Sequence, residues 1–400
     1  MKLALLEFDY HAEVLRNACL ALADAPISVH VFTTEHIWRT VGLDQHAFAN
    51  ITVDCCAPRD VIPFLQGALH QINACDAILF NTAAARFSAL RRLDFQRPVL
   101  VRVHNSQAFF GSLKDYQRPR SAFLLWKDFS HLVRKLIWER DHYQMKAFVG
   151  GVDGYVFPTE RMRSHAIEAY RLDPKRCFYV PMVSLQPVPP EPTIPAANHP
   201  IELSVIGRID PRNRDYDQLM QAAAQVPSLA QAHGRPVVLN LLGSANTRFG
   251  RHVVRRVSSF QSDFFRVNAF AGFVPQDVFS RTVGRSHGLI LPIRHQTRYT
   301  IYPEYYGDTK ISGAIHDLVT FQKPALVDAR VTFGPPFDAL IRPYHGAEGL
   351  AEQMVQFDPP AFERSQLDPH FSRAAVVAAY QNVLSHRAQG GLQHQTPNEL

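Results

Sequence analysis

The sequence predicts an α/β protein with two Rossmann-like domains that face each other across a cleft. Short apolar runs alternate with helical patterns along most of the 400 residues, as in parallel sheets whose strands are joined by helices. A proline-rich segment at residues 186–200 interrupts this alternation, which then starts again. Because 400 residues exceed one ordinary hydrophobic core, two domains are expected.

The predicted first domain covers residues 1–185. Its opening apolar run is broken by Glu7 and Asp9, so we interpret it as a first strand and not as a signal peptide. No window approaches the roughly eighteen uninterrupted apolar residues that a membrane span needs. A helix is expected at residues 12–23, and strands are expected at residues 3–8, 28–32, 77–80, 99–103 and 155–157.

The segment at residues 186–200 is predicted to be a linker, because proline fixes φ and lacks an N–H donor. The second domain, with a terminal helix, is expected at residues 201–386. The tail at residues 387–400 has too few apolar residues to pack and is expected to be disordered. In the second domain, helices are predicted at residues 217–225 and 372–385, and strands at residues 201–206, 237–242, 270–274, 288–291 and 324–327.

The charged residues and cysteines limit the possible partners. The net charge of +6 comes from 42 basic and 36 acidic residues without a long basic run, so no nucleic-acid partner is expected. The five cysteines show no metal-site spacing, and a bridge between neighbouring Cys55 and Cys56 is sterically unfavourable. We therefore expect a cytoplasmic protein with reduced thiols and no bound metal.

A candidate phosphate-binding loop lies at residues 310–317. Ser312 and Gly313 precede a helical pattern, and the free N–H groups and dipole of a helix start can hold a diphosphate without a metal. Asp317, one turn further, is placed to bind a ribose hydroxyl. The alternative interpretation is an ordinary loop before a helix, since such turns are common in α/β proteins.

Three arginines follow the strand predicted at residues 201–206. Gly207 and Arg208 come directly after it, and Arg214 precedes the next helix. Guanidinium groups bind phosphate oxygens through paired N–H donors. The alternative is a solvated basic loop, and a function is favoured for Arg208 more than for Arg212.

The order of motifs in residues 201–330 resembles the donor domain of family 4 glycosyltransferases, which are retaining nucleotide-sugar enzymes with the GT-B fold. The first domain resembles that family only loosely. The matching motifs are Gly207-Arg208 after a strand, Leu241-Leu242-Gly243-Ser244, the turn Gly272-Phe273-Val274, and a strand that ends at Pro292.

This resemblance implies a role for each matched residue. Arg208 and Arg214 would neutralise the donor diphosphate, the backbone at Phe273 and Val274 would face the base, and Asp317 would hold the ribose. The implied substrate is a nucleoside diphosphate sugar, and no cofactor is expected.

The sequence also departs from the family. Thr309 stands where the family has a glutamate that contacts the transferred sugar, and the adjacent Lys310 could instead add charge near the phosphates. His287 and Gln322 replace an aspartate and a glycine, and residues 8–11 replace a glycine-rich loop. The alternatives therefore include a non-catalytic nucleotide-binding or glycan-binding protein, a nucleotide-sugar epimerase and a bilobal binding protein.

In the first domain, His104 follows the strand at residues 99–103 and is expected to emerge into the cleft. It looks like the family's strand-end histidine beside the donor sugar, although a hydrogen-bonded structural histidine is equally consistent. His11 is a weaker candidate for an acceptor or phosphate contact. Residues 109–138 mix aromatic and basic side chains, which suits either core helices or an anionic membrane surface carrying a lipid-linked acceptor.

The function expected from the sequence is transfer of a sugar from a nucleoside diphosphate to a hydroxyl group of a glycan or glycolipid, in bacterial-type glycan or glycolipid assembly. The location is expected to be cytoplasmic, with peripheral contact at the inner membrane face left open.

Overall fold

The computed structural model describes residues 1–115, 141–185, 199–299, 301–358 and 366–389, together with residues 126, 129, 130 and 133. We call residues 1–185 the first lobe and residues 199–358 the second lobe. The predicted linker lies outside the described residues apart from its last two positions. The predicted disordered tail lies outside them from residue 390 onward.

Seven parallel strands form the sheet of the first lobe, in the order β3-β2-β1-β4-β5-β6-β7. The strands are β1 (Lys2–Glu7), β2 (Ser28–Thr34), β3 (Ile51–Cys56), β4 (Ala77–Phe80), β5 (Val99–Arg102), β6 (Gly154–Phe157) and β7 (Cys177–Tyr179). The helices are α1 (Ala12–Leu22), α2 (Glu35–Val41), α3 (Val61–Asn73), α4 (Phe87–Leu90), α5 (Ser106–Phe110), α6 (Asp141–Gly151) and α7 (Glu160–Tyr170).

Six parallel strands form the sheet of the second lobe, in the order β10-β9-β8-β11-β14-β15. These strands are β8 (Ile201–Val205), β9 (Val237–Leu241), β10 (Phe265–Ala269), β11 (Gly288–Leu291), β14 (Ala325–Asp328) and β15 (Ile341–Tyr344), and a separate antiparallel hairpin joins β12 (Gln296–Tyr299) to β13 (Tyr302–Tyr305). The helices are α8 (Tyr216–Ala232), α9 (Arg248–Ser258), α10 (Gln276–Arg285), α11 (Ala314–Phe321) and α12 (Gly346–Val355), followed by α13 (Asp368–Phe371) and α14 (Arg373–Gln389). The predicted α/β class with two parallel sheets is confirmed.

The prediction of a strand at residues 270–274 is wrong. The strand of this region, β10, spans Phe265–Ala269 and ends before those residues. At the edge of its sheet, β10 buries only alternate residues such as Phe265 and Val267. The apolar residues that follow belong to a turn, in which Phe273 is 85% exposed. A continuous apolar run is typical of central strands, which are covered on both faces, so it is a poor guide to an edge strand.

Each central strand places alternate residues in two different apolar cores. In the first sheet, Leu5 and Leu79 pack on one face, while Leu6 and Phe80 pack on the other. The core containing Leu6 continues into the second lobe, where it includes Leu291. The two sheets therefore share one core, which fixes their relative position.

The terminal helix α14 packs against the first lobe although it follows the second lobe in the chain. Tyr380 and Leu384 enter the core on the outer face of the first sheet. The Tyr380 hydroxyl accepts a hydrogen bond of 2.8 Å from Nη2 of the buried Arg102. The helix extends to Gln389, into the segment predicted to be disordered.

The hairpin β12–β13 leaves the second lobe and packs on α5 of the first lobe. Ala108 of α5 forms a small apolar cluster with Ile301 and Tyr302. We call residues 304–310, which follow the hairpin turn, the interlobe segment. In this segment the Thr309 carbonyl accepts the Ser106 N–H at 2.8 Å.

Two acidic side chains of the interlobe segment also contact the first lobe. Asp308 forms an ion pair of 2.7 Å with Arg161. Glu304 is fully buried, and its Oε1 accepts the Ala108 N–H at 3.0 Å. Burial raises the pKa of Glu304 to about 7, even though the nearby Thr309 hydroxyl and the Ala108 N–H lower it.

We expect Glu304→Gln to stabilise the protein at alkaline pH. Between about pH 4.5 and 7 the folded protein holds this proton and the unfolded chain does not, so stability falls as the pH rises. The neutral amide keeps an oxygen for the Ala108 N–H and removes this loss, which corresponds to about 3 kcal/mol. Urea unfolding at pH 5 and pH 8 measures the effect, and a variant no more stable than the natural protein at pH 8 would contradict it.

Candidate functional site

A cavity of 520 Å³ lies between the two lobes, at the carboxyl ends of β1, β4 and β5. Loops after parallel strands are the usual position of ligands in open α/β sheets. The second lobe closes the other side with its hairpin and with the start of α11. Polar side chains in the wall include Tyr10, His11, His104, Asn105, Lys310 and His316.

The loop after β1 is held by a buried carboxylate instead of glycines. Glu7 Oε1 accepts the N–H groups of Asp9 and Tyr10 at 2.9 and 3.2 Å. Glu7 Oε2 accepts hydrogen bonds from Asn81 and Thr82, at 2.7 and 2.6 Å. These contacts fix the loop after β4 to the loop after β1, and thereby position the start of α1.

Two histidines stack in the cavity wall. The rings of His11 and His104 are 4.0 Å apart and nearly parallel, with an angle of 17° between them. His104 Nε2 lies 2.7 Å from the Asn81 carbonyl oxygen, so Nε2 carries the proton. Burial, followed by the nearby His11, holds the pKa of His104 well below its usual value. His104 is therefore neutral at pH 7, with Nδ1 as an acceptor.

Two buried polar atoms in the cavity wall have no hydrogen-bond partner among the described residues. They are Oδ1 of Asn105, in the first lobe, and Nε2 of His316, in the second. Burial lowers the pKa of His316 to about 4, so this ring is also neutral at pH 7. Unpaired buried polar atoms cost free energy, and both of these atoms belong to residues that line the cavity.

Lys310 contributes a cation to the same wall. Its ammonium lies 5.8 Å from the ring centre of Tyr299 and 5.7 Å from that of Tyr306, within cation–π range. Burial lowers the pKa of Lys310, although the Glu304 carboxylate acts in the opposite direction. An extended-backbone bridge to Asn105 fixes the position of Lys310.

The start of α11 opens into the cavity, at the position predicted for phosphate. Gly313 is the residue before the helix and lines the cavity. A Cβ at this position would meet no atom within 4 Å, so the backbone is open to a ligand. Ser312 is buried, and its hydroxyl accepts the Ala314 N–H at 3.3 Å.

A second group of cations, the arginine cluster of Arg208, Arg212 and Arg214, lies outside the cavity wall. Arg214 lies near Asp317 and interacts with it electrostatically. Burial raises the pKa of Asp317 to about 7, although Arg214 lowers it. Nη1 of Arg214 is buried and has no hydrogen-bond partner among the described residues. A buried guanidinium edge without an acceptor is suited to an anion.

Gly207 allows Arg214 to reach this position. Its φ is +84°, which glycine adopts without strain. A Cβ at Gly207 would lie 2.1 Å from Arg214 Nη2. A Cβ at Gly243 would in turn lie 2.3 Å from the Gly207 carbonyl oxygen, so the loops after β8 and β9 pack closely.

The remaining arginines differ in exposure and partners. Arg208 is exposed at the end of β8. Arg212, whose side chain is 75% exposed, pairs with Asp210. The side chains of Arg208 and Arg214 do not line the 520 Å³ cavity, whose wall contains His104, Lys310 and Gly313 from the predicted set. Helix α11 joins the two groups, because it carries Gly313 toward the cavity and Asp317 toward Arg214.

The turn predicted to face a nucleotide base has one exposed and one buried side chain. Phe273 is 85% exposed, whereas Val274 is 6% exposed and packs in the core shared by the two lobes. Val274 therefore anchors the turn and leaves the Phe273 ring uncovered among the described residues.

The residues that depart from the family pattern have structural roles. Thr309 is buried, and its hydroxyl accepts the Tyr305 N–H at 2.8 Å, so it does not replace the missing glutamate. His287 Nδ1 accepts the Glu202 N–H at 3.0 Å. Gln322 ends α11 with φ +51°, a left-handed conformation that explains why glycine suits this position.

Neither His316 nor Glu304 was predicted from the sequence as a functional residue. His316 lies in an apolar helical stretch, where a histidine has no distinguishing local signal. Glu304 lies between tyrosines in a hairpin whose burial depends on the first lobe.

In the part of the chain that is described, no group of three or more histidine, cysteine or acidic side chains is arranged to hold a metal ion. Within the same part, no helix is both long and apolar enough to cross a bilayer.

No protein-family model and no curated protein matches the sequence. Solved structures with a similar fold include a UDP-forming α,α-trehalose-phosphate synthase from Burkholderia xenovorans, with a TM-score of 0.58, 11% identity, and coverage of 97% of this chain and 99% of that one. HepE from Anabaena, solved with UDP-glucose, gives a TM-score of 0.55 and 10% identity, over 96% of this chain and 99% of that one. A Listeria monocytogenes protein described as a putative UDP-N-acetylglucosamine 2-epimerase gives a TM-score of 0.51 and 12% identity, over 96% of this chain and 94% of that one. The chain therefore has the GT-B fold.

We expect Arg214→Ala to weaken the binding of inorganic pyrophosphate at least tenfold, because a hydrogen bond to a charged group contributes about 1.5 to 3 kcal/mol. Titration calorimetry measures the affinity. Arg212→Ala is the matched control, since it removes the same charge two residues away from an exposed ion pair. Equal losses in both variants would contradict a specific anion site at Arg214.

Proposed function

We propose that this protein is a glycosyltransferase that moves a sugar from a nucleoside diphosphate to a hydroxyl acceptor, as a retaining enzyme similar to family 4. The observation that supports it most is the unpaired, buried Nη1 of Arg214 beside Asp317. This cation lies on one side of α11, and the start of the same helix opens into the interlobe cavity. The arrangement suits a donor that lies across the helix start.

The proposed diphosphate lies between Arg208, Arg214 and the N–H groups at Ser312 and Gly313. Negative charge grows on the leaving phosphate oxygen as its bond to the sugar C1 breaks. Donors that are already oriented toward this oxygen stabilise the transition state without reorganisation. These cationic and N–H groups supply the neutralisation in this proposal, which therefore requires no metal.

The nucleoside part of the donor is assigned to the outer part of the second lobe. Asp317 accepts a hydrogen bond from the ribose, Gly207 leaves space for Arg214, and the backbone at Phe273 and Val274 faces the base. The Phe273 ring is exposed and available for stacking. Lys310 adds positive charge on the cavity side.

The transferred sugar is assigned to the cavity, beside His104. The acceptor oxygen bonds to C1 as the bond to the diphosphate breaks, and the acceptor proton leaves with the diphosphate. The unpaired atoms Asn105 Oδ1 and His316 Nε2 are suited to sugar hydroxyls. They take the place of the contact that the family makes through the glutamate at the Thr309 position.

A non-catalytic binding protein is the second candidate, and the position of Thr309 favours it. The Thr309 hydroxyl is bound to the backbone of its own segment, so this side chain contributes nothing to a sugar. An epimerase is the third candidate, because one protein of similar fold carries that description. Both alternatives use the same nucleotide site and differ in turnover.

The proposed acceptor is a glycan or glycolipid in a cytoplasmic assembly reaction. Residues 116–125, which include part of the aromatic and basic stretch, lie outside the described residues.

Thermal shift with UDP, GDP and ADP sugars identifies the donor, because a ligand of the folded state raises the melting temperature. Product analysis with the stabilising donor then separates the candidates. A transferase releases nucleoside diphosphate faster when acceptor is added, an epimerase converts the donor alone, and a binding protein does neither. No stabilisation by any donor would contradict the transferase, the epimerase and a nucleotide-binding protein.

We expect Arg208→Ala to lower kcat, because it raises the activation free energy by about 2 to 4 kcal/mol, as does removal of one preorganised hydrogen-bond donor. Because Arg208 is exposed, its loss should not affect folding. Arg208→Lys keeps the charge but not the planar fork and should give an intermediate rate. Unchanged turnover in Arg208→Ala would remove this residue from the catalytic set.

We expect Asp317→Ala to weaken the binding of the nucleoside diphosphate and to leave pyrophosphate binding unchanged, because its assigned partner is the ribose. Arg214→Ala should weaken both ligands. Calorimetry with the two ligands compares the variants. Loss of pyrophosphate binding in Asp317→Ala would indicate that the carboxylate only positions Arg214.

A further inference from the structure

The cavity between the lobes has an apolar side that the proposed donor does not use. Its wall there comes from α4, α5, α6, the segments after β4 and β7, and the hairpin turn, and it includes Ala83, Phe87, Phe109, Met145, Met182 and Ile301. Most of these side chains are buried, so they face the cavity and the core and not bulk solvent.

The polar groups of the cavity come from both lobes. His104 and Asn105 line it in the first lobe, and Gly313 and His316 line it at the start of α11, where Gly313 opens the backbone to a ligand. A ligand that fills the cavity therefore contacts both hydrogen-bonding groups and the apolar side chains of α4, α5 and α6. The volume of 520 Å³ is within the range of small-molecule sites, which is about 300 to 1,000 Å³.

We propose that the hydroxyl acceptor carries an apolar alkyl or aromatic group, which lies between Phe87, Phe109 and Met145 while its hydroxyl faces His104. This inference rests on the proposed function and specifies the acceptor class. The group would lie on the first-lobe side, opposite the arginine cluster, so donor and acceptor enter from different lobes.

The apolar wall is unsuited to the hydroxyl-rich surface of a free oligosaccharide. Each sugar hydroxyl that leaves water without a partner costs free energy. The nearby Thr82 hydroxyl already donates to Glu7 at 2.6 Å and is not available as a donor. An apolar group loses no hydrogen bonds here and gains burial against methionine and aromatic side chains.

Calorimetry with three probes tests the acceptor class: n-hexyl β-D-glucoside, methyl β-D-glucoside and 1-hexanol. The two glucosides share one head group and differ only in the apolar chain. We expect hexyl glucoside to bind at least tenfold more tightly than methyl glucoside, and hexanol to compete with it. Equal affinity of the two glucosides, or no binding of either hexyl compound, would overturn the proposal.

A pair of neighbouring variants locates the binding site. Ala84 lines the cavity, whereas Ala85 does not, and both are half-buried. Ala84→Trp should fill the cavity and weaken the binding of hexyl glucoside at least tenfold, while Ala85→Trp should leave its affinity unchanged. Equal effects of the two substitutions would overturn the location.

These results are distinguishable from failure of the proposed function. Donor binding at Arg214 and binding of hexyl glucoside are measured separately, without turnover. If a nucleoside diphosphate binds and the hexyl probes do not, only the acceptor class is wrong. If the hexyl probes bind and no nucleotide does, the cavity is apolar as inferred, but the transferase function is wrong.

Discussion

The contact between the interlobe segment and α5 fixes the distance across the cavity. In this contact the Ser106 and Ala108 N–H groups, which begin a short helix of the first lobe, are both bonded by the second lobe. An antiparallel backbone bridge in the same region positions Lys310 against Asn105. Because Glu304 is buried without exposure to water, any opening of the lobes must also hydrate a carboxyl group and free two backbone donors. The hairpin contact therefore holds the two lobes close together, and the cavity lies between lobe surfaces whose relative position is fixed by this contact.

The charged groups near α11 lie partly in the cavity wall and partly outside it. In the wall, burial keeps His104 and His316 neutral at pH 7, while the Lys310 ammonium and the Glu13 carboxyl, whose pKa is lowered, carry opposite charges. Outside the wall, Arg214 lies near Asp317, and its charge only partly offsets the cost of burial, which raises the pKa of Asp317 to about 7. A diphosphate across the helix start would add the acceptor oxygens that the guanidinium lacks. Neutral hydrogen-bonding groups then remain for the sugar, which carries no charge of its own.

Much of the fold could be predicted because central strands have a strong signal. Residues 77–80 and 288–291 match β4 and β11 at both ends, since strands buried on both faces consist of apolar residues alone. β10 at a sheet edge and the hairpin β12–β13 gave no such run, and the hairpin packs against α5 of the first lobe, far away in sequence. In the site, Gly207, Arg214 and Gly313 had local signals, namely a strand end and a helix start. The stack of His11 on His104 and the position of His316 depend on three elements far apart in sequence, so no local pattern indicates them.

The threonine at position 309, where the family that the sequence resembles has a glutamate, has a physical consequence for the whole cavity. The interlobe segment carries two acidic side chains, but Glu304 binds the Ala108 backbone, Asp308 pairs with Arg161, and neither lines the cavity. With Thr309 also turned to its own backbone, the proposed sugar pocket contains no carboxylate from this segment. The unpaired atoms Asn105 Oδ1 and His316 Nε2 come from opposite lobes, so in the proposed function they can bind one sugar only while the interlobe contact holds. Recognition of the proposed sugar would therefore depend on the closed arrangement of the lobes, which the hairpin maintains.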